Sequence, residues 1–279
     1  MTKTRVLAAL VLAPIAIAAI LLLPTPWLVA LAAVVFLAGL WEWFRLADVE
    51  DTLARTVLLV ANLALMVAIV WGSRSHAGGL SLVLFKLATV AGVIWWLLAG
   101  LWLKHFGFAS DHDTHARVFK LAAGTLAIVP AWCALAWIHA ERPMGHRWLF
   151  VALMMVWAAD TGAYFVGRHL GKHKLSPRIS PNKTIEGLLG GLVAGVAVAV
   201  AFAPLAGAGF GQLPAVALVA AVAVAFSVVG DLFESLLKRH VGAKDSGDLI
   251  PGHGGVLDRI DGVIAALPVF ALGKAWLGF

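Results

Sequence analysis

The stretch Ser235-Leu-Leu-Lys-Arg-His-Val-Gly-Ala-Lys-Asp-Ser-Gly-Asp-Leu-Ile-Pro-Gly-His-Gly-Gly-Val-Leu-Asp-Arg-Ile-Asp261 lies between the apolar runs 213–230 and 260–278, and its reading decides the fold. It gathers Lys238, Arg239, Lys244, Asp245, His253, Asp258, Arg259 and Asp261 in a chain of which only 13% is charged. Elsewhere the sequence is oil-like: 62% of the residues are hydrophobic, the mean hydropathy is +0.94, and there are 12 Trp. A soluble domain carries about 45–50% apolar residues, so this composition points to an integral membrane protein. A dense mixed-sign cluster between two spanning runs marks a membrane boundary. Its carboxylates and cations together suggest phosphate and metal chemistry.

Outward from that stretch, apolar runs recur along the whole chain, each long enough to cross a roughly 30 Å hydrocarbon core as a helix. The expected spans are 6–23, 28–44, 56–71, 82–102, 121–140, 149–165, 187–204, 213–230 and 260–278, an all-α polytopic membrane protein with about nine transmembrane helices. Short alternating strands are missing from the pattern, which argues against a β-barrel. The first run follows Lys3 and Arg5 but shows no cleavage site before Pro24, so it is read as a span. The one cysteine, Cys133, excludes an internal disulfide.

With the N-terminus in the cytoplasm, most of the 21 Lys and Arg fall in cytoplasmic segments, including Arg45, Arg55, Lys104, Arg117, Lys120, Arg168, Lys172, Lys174, Arg178, Lys183, Lys238, Arg239, Lys244 and Arg259. Arg74, Arg142 and Arg147 stay outside, with Lys86 and Lys274 near outer span ends. This asymmetry supports N-terminus in and C-terminus out. It also accounts for the net charge of +6 without invoking nucleic acid. The chain reads as one membrane domain over 1–279. Residues 1–148 make a helical bundle poor in polar chemistry, and residues 149–279 carry two cytoplasmic loops, 166–186 and 231–259.

If span 213–230 continues as helix, Asp231, Glu234, Ser235 and Lys238 fall at i, i+3, i+4 and i+7 on one face. A carboxylate pair on a helical face is a half-site for Mg²⁺, whose other positions go to water and phosphate oxygens; the same residues also fit a solvated helix end. Pro251-Gly-His253-Gly254-Gly255 is a turn able to bring amide N–H groups close to an anion. Asp258 and Asp261 open the last span. Either could serve its helix dipole, but packed beside the eighth span they would face Asp231 and Glu234, and crowded carboxylates call for a cation. Asp160 lies well inside an apolar run, where an unpaired charge is costly. The segment after it, with Arg168, Lys172, Lys174, Arg178, Ser180, Lys183 and Thr184, suits a polyphosphate or anionic lipid headgroups. Glu42, within Trp41-Glu42-Trp43, is read as part of an interfacial anchor, and His76, His105, His112, His115, His139 and His146 as surface residues. Gly190, Gly191 and Gly195 are read as a helix-packing face.

The pattern Ser235-x-Leu-Lys-Arg-x4-Lys-Asp-x-Gly-x2-Ile-Pro-x-His-Gly-Gly-Val-x-Asp-Arg-Ile-Asp261 resembles the signature of the phosphatidate cytidylyltransferases, or CDP-diacylglycerol synthases. Asp160-Thr-Gly-Ala-Tyr164 and Ser176-Pro-Arg-Ile-Ser-Pro-Asn-Lys-Thr-Ile-Glu-Gly187 resemble that family's cytoplasmic segment. The specific resemblance covers about 160–262. It implies a nine-span bundle in the bacterial inner membrane or another lipid-making membrane, often a homodimer, with its active site at the cytoplasmic face. The implied reaction is CTP + phosphatidate → CDP-diacylglycerol + pyrophosphate. Carried onto this chain, it implies Asp231 and Asp258 as metal ligands, with Asp261 and Asp160 close by and Lys238 in the catalytic group. Arg239, Lys244, Asp245, His253, Gly254, Gly255 and Arg259 would hold nucleotide and phosphates, completed by Ser180, Lys183 and Thr184. The implied ions are Mg²⁺ and, beside it, a monovalent ion such as K⁺.

Two other classes fit less of the sequence, and one related reading stays open. A CDP-alcohol phosphotransferase would carry Asp-Gly-x2-Ala-Arg, which is not found. The related reading is cytidylyl transfer to an ether lipid, which substrate competition would separate. A transporter or flippase would place acids near the midplane in inverted repeats, whereas here they collect at one boundary.

Overall fold

The computed structural model describes residues 13–74, 81–249 and 254–279. Its helices are α1 (Ala13–Leu22), α2 (Thr25–Leu46), α3 (Thr52–Gly72), α4 (Val83–Trp102), α5 (Thr114–Ala140), α6 (Gly145–Leu170), α7 (Ile185–Phe202), α8 (Leu213–His240) and α9 (Leu257–Leu277). A two-stranded hairpin, β1 (Lys174–Ser176) and β2 (Ser180–Thr184), separates α6 from α7. Among the described residues, the eight helices α2 to α9 are long and apolar enough to cross a bilayer, and α1 is shorter. Each of the expected spans from 28–44 onward finds its helix. The expected span 6–23 extends outside the described residues.

Polar side chains start several helices. Asp51 accepts from Leu53 N and Ala54 N, Asp113 from Ala116 N, and Thr184 from Gly187 N. Each satisfies an orphan donor of a first turn, a contribution of about 0.5–2 kcal/mol. Burial then sorts the helices by position. In α5 every residue from Ala127 to His139 is buried, and in α9 every residue from Gly262 to Ala271. Helices apolar and buried all round form the centre of a bundle. By contrast, only 11% of the α3 apolar stretch is buried, and Val57, Val60 and Val67 present it outward as a lipid-facing surface.

Two features differ from the linear reading. The helix α8 runs past 230 to His240, because Asp231, Glu234 and Lys238 are compatible with helix and the backbone first turns left-handed at Gly242 (φ 65°). The segment expected as loop 166–186 is largely structured: α6 continues to Leu170, and the hairpin pairs Lys174 with Thr184 and Ser176 with Ser180 in antiparallel register. Glu186 anchors its base by accepting from Lys172 N (3.0 Å), His173 N (3.2 Å) and the His173 ring (2.6 Å). Arg239 Nε on α8 donates to Ile179 O at its tip (3.2 Å).

The interior also corrects the reading of several polar residues as surface. His139 is buried, with Nδ1 3.0 Å from Thr25 Oγ1 and Nε2 3.0 Å from Ile20 O. Lys120 has a fully buried side chain and donates to Asp48 (2.9 Å), while Trp43 Nε1 donates to the Lys120 carbonyl (2.8 Å). Lys274 is buried against Glu141 (2.7 Å). Inside a bundle that water does not reach, a polar group left without a protein partner is costly, and these three have theirs.

Glycine sets two helix contacts that position the site. On α7, Gly191 and Gly195 are buried against α6, where an added Cβ would lie 2.8 Å from Ala159 O and 3.0 Å from Met155 O. On α8, a Cβ at Gly230 would lie 2.9 Å from Ala265 Cβ and would press on the Asp261 carbonyl. The bare backbone of Gly230 therefore brings α8 and α9 together next to Asp231 and Asp261.

Candidate active site

The last turns of α8 and the first turns of α9 meet at one end of the bundle, and the acidic residues meet with them. One carboxylate oxygen from each of Asp231, Glu234 and Asp261 lies within 4.8 Å of the other two. Asp231 and Glu234 are one turn apart on α8, and Asp261 comes across the contact made possible by Gly230. Lys183 on β2 forms an ion pair with Asp231. Asp160 on α6 is within electrostatic reach of Asp231 and Lys183. Three carboxylates, those of Asp160, Asp231 and Asp261, thus lie within electrostatic reach of the Lys183 ammonium.

A second charged group adjoins the first. Lys238 Nζ bridges Glu234 Oε2 and Asp258 Oδ1, each at 2.7 Å. The other oxygen of Asp258 accepts from Ser246 N (3.1 Å) and Gly255 N (2.9 Å). Gly254 has a left-handed backbone (φ 83°), and a Cβ there would stand 3.1 Å from Asp258 Oδ2, so glycine is required for both reasons.

The sequence reading pairs Asp231 with Asp258 as metal ligands; the structure gathers a different set. Asp258, in the first turn of α9, is held by Lys238 and by two backbone N–H groups of its own loop. Asp261, one turn on, joins Asp231 and Glu234. Helical spacing offers Asp231 and Glu234 as a half-site on one face of α8, whereas the resemblance implies Asp231 and Asp258. Arg239 ties the hairpin to α8, whereas Lys244, Asp245 and Arg259 are exposed around the rim. Gly255 is buried beside Ser246. His253 lies outside the described residues.

The trio fits a divalent cation. Its negative charge exceeds what Lys183 and Lys238 neutralise, the ligand atoms are oxygens at mutually short separation, and Glu234 Oε1 is buried with no hydrogen-bond partner. Hard carboxylate oxygens in this number suit Mg²⁺ better than a soft metal.

Asp231 and Asp160 line a cavity of about 600 Å³ between α6, α7, α8 and the hairpin. Arg168, Ser180, Lys183 and Thr184 are among its polar lining, and Ala159, Leu188, Val224 and Val228 among its aliphatic lining. A pocket that offers both anion-binding and aliphatic groups suits a ligand with a phosphate head and an apolar tail. Tyr164 lines it too, its hydroxyl accepting from Arg168 (2.7 Å).

Sequence reasoning missed two residues of this region. Glu42 on α2 is buried, not interfacial, and accepts from Ser246 Oγ (2.9 Å), Val256 N (3.1 Å) and Leu257 N (2.8 Å). Ser246, also buried, touches both Glu42 and Asp258. The signal that could have found Glu42 is an acid within an apolar run, which needs a partner.

Comparison with known proteins agrees with this geometry. Residues 3–275 match the model described as the cytidylyltransferase family. A Pseudomonas aeruginosa protein named phosphatidate cytidylyltransferase is 40% identical over 97% of this chain and 96% of its own length. One of the same name from Haemophilus influenzae is 35% identical over 97% of this chain and 98% of its own. A Bacillus subtilis relative of that name is 46% identical over 44% of this chain. With residues 3–275 matched and nearly its whole length aligned with a relative at 40% identity, the chain belongs to the cytidylyltransferase family.

Proposed function

We infer that this protein is an enzyme that transfers the cytidylyl group of CTP to phosphatidate, giving CDP-diacylglycerol and pyrophosphate for phospholipid synthesis. The observation that carries the reading is the acidic trio of Asp231, Glu234 and Asp261, whose Asp231 also lines a cavity that holds both Lys183 and Arg168 and aliphatic side chains. Asp231, Glu234 and Asp261 would hold Mg²⁺, which when bound supplies neutralisation of phosphate charge. Lys183, released from Asp231, and Arg168 are placed to bind nucleotide phosphates. Ser180 and Thr184 offer hydroxyl donors to the same anion. The aliphatic lining takes the glycerol end of the lipid, whose acyl chains extend toward the bilayer between helices.

Attack of a phosphatidate oxygen on the α-phosphorus forms the new P–O–P bond as the bond to pyrophosphate breaks. No general base is needed, because the phosphate nucleophile is already ionised near neutral pH. Positioning two anions in line and neutralising them is then the main demand. Lys238 holds Asp258 and Glu234 together, which keeps the first turn of α9 against α8. We also propose that the chain works as one membrane domain, a homodimer in the inner membrane, with its N-terminus and this site on the cytoplasmic side. The excess of Lys and Arg in the corresponding segments supports that orientation.

The test is direct. Purified protein given CTP, Mg²⁺ and phosphatidate is expected to release pyrophosphate and form CDP-diacylglycerol. Asp261→Asn should insert normally and lose turnover. Product formation by that variant at the wild-type rate would sink the metal assignment, and no product from the wild type would sink the reaction.

A further inference from the structure

Glu42 stands far from the signature in sequence, yet its carboxylate reaches into it. Both oxygens are used: Oε2 accepts from Ser246 Oγ and Leu257 N, and Oε1 from Val256 N. Val256 and Leu257 begin α9, whose opening N–H groups have no partner within the helix. No side chain of the α9 start caps it in the usual way. A carboxylate from another helix performs that task and meets the positive end of the α9 dipole. The next two donors, Gly255 N and Ser246 N, go to Asp258. Glu42 and Asp258 therefore divide the amides of one tight turn between them.

The glycines of the turn follow from this arrangement. A Cβ on Gly247 would lie 2.6 Å from the Glu42 carboxyl carbon and 2.9 Å from its Cγ. A Cβ on Gly255 would collide with Ser246 Oγ and a Glu42 oxygen. The turn is thus moulded around the Glu42 side chain, which is 3% exposed.

We propose that Glu42 is a positioning residue for the transfer reaction: it fixes the height and rotation of the first turns of α9, and through them the placement of Asp261 against Asp231 and Glu234. The proposal rests on the metal-assisted reading of the site given above. Glu42 belongs neither to the acidic trio nor to the lining of the cavity. It acts through Val256 and Leu257, and links the N-terminal bundle to the acidic trio.

Glu42→Gln keeps the shape but turns one accepting oxygen into a donor that opposes an N–H group. Loss of such outer-shell support costs about 10- to 100-fold in metal affinity or activity in other metal sites. The expected result is a loss of that size in Mn²⁺ affinity, measured by electron paramagnetic resonance on detergent-solubilised protein. A matching rise is expected in the Mg²⁺ concentration that half-saturates turnover, with KM for CTP at saturating Mg²⁺ changed less than threefold. Ser246→Ala removes only the hydroxyl bond and should shift both metal readouts in the same direction by a smaller factor; it decides the matter if the Gln variant does not fold. A purely structural role predicts less folded protein with wild-type metal affinity, and that outcome in either folded variant overturns the proposal. Inactive wild-type protein would instead remove the functional reading beneath it.

Discussion

Lys238 is the most informative single target, because two carboxylates, one buried and one half-buried, share it. Glu234 and Asp258 each lie 2.7 Å from its ammonium, and their side chains are 1% and 13% exposed. At an effective dielectric of about 20, each contact represents roughly 6 kcal/mol of Coulomb attraction before desolvation. Desolvation offsets much of this, and removing one partner of a buried pair costs about 3–5 kcal/mol net. Lys238→Met preserves the aliphatic stem and deletes only the charge, so that cost should appear as lost stability. At 2–4 °C per kcal/mol, Tm falls by roughly 6–20 °C. Cys133 is the sole cysteine and fully buried, so a thiol-reactive dye in detergent reports unfolding at one defined place. Scans without added Mg²⁺ and at one heating rate keep the comparison clean. The double variant Lys238→Met/Glu234→Gln removes the cation together with one anion, and should regain at least half of the lost Tm. Asp258 then still keeps its two backbone donors. A single variant that melts with the wild type, or a double variant no more stable than the single, would refute the charge-balance account.

Three further outcomes follow from other contacts. Lys183→Gln loses the partner of Asp231 and, if Lys183 binds the nucleotide as proposed, a charged hydrogen bond of about 1.5–3 kcal/mol, so KM for CTP should rise roughly tenfold or more in steady-state assays. Gly230→Ala forces a methyl group onto the Asp261 carbonyl; turnover per folded molecule should fall roughly 10- to 100-fold, as for other small displacements of reacting groups, and overpacking of about 1–3 kcal/mol should lower Tm by several degrees. Lys120→Met leaves Asp48 without its buried partner and should lower Tm by several degrees, with kcat and KM per folded molecule unchanged.

The spans were legible because hydropathy is a one-dimensional property: each run from 28–44 onward became a helix whatever its neighbours did. The α8 face was legible too, since helical spacing alone puts Asp231, Glu234 and Lys238 together. What spacing could not settle was the division of labour between Asp258 and Asp261. Both lie at i, i+3 on α9, yet one meets the loop amides and Lys238 while the other meets α8 across Gly230. That choice depends on how two helices rotate against each other. The hairpin was missed for a similar reason. Its strands are three and five residues long, too short for periodicity, and they are held by Glu186 and Arg239 from outside. Glu42 shows the same limit most plainly, because its three donors come from a turn that only the folded bundle brings near.

The central position of α9 has a consequence for biosynthesis. Among the described helices it is the last to leave the ribosome, yet it is buried on all sides from Gly262 to Ala271, against α2, α4, α5, α6 and α8. Until it inserts, the earlier helices surround a gap that lipid or one another must fill. The start of α9 also brings the final acid, Asp261, and the amides that Glu42 awaits. Nascent chains therefore hold an incomplete, inert centre, and activity begins only when the closing helix threads into a bundle already in the membrane.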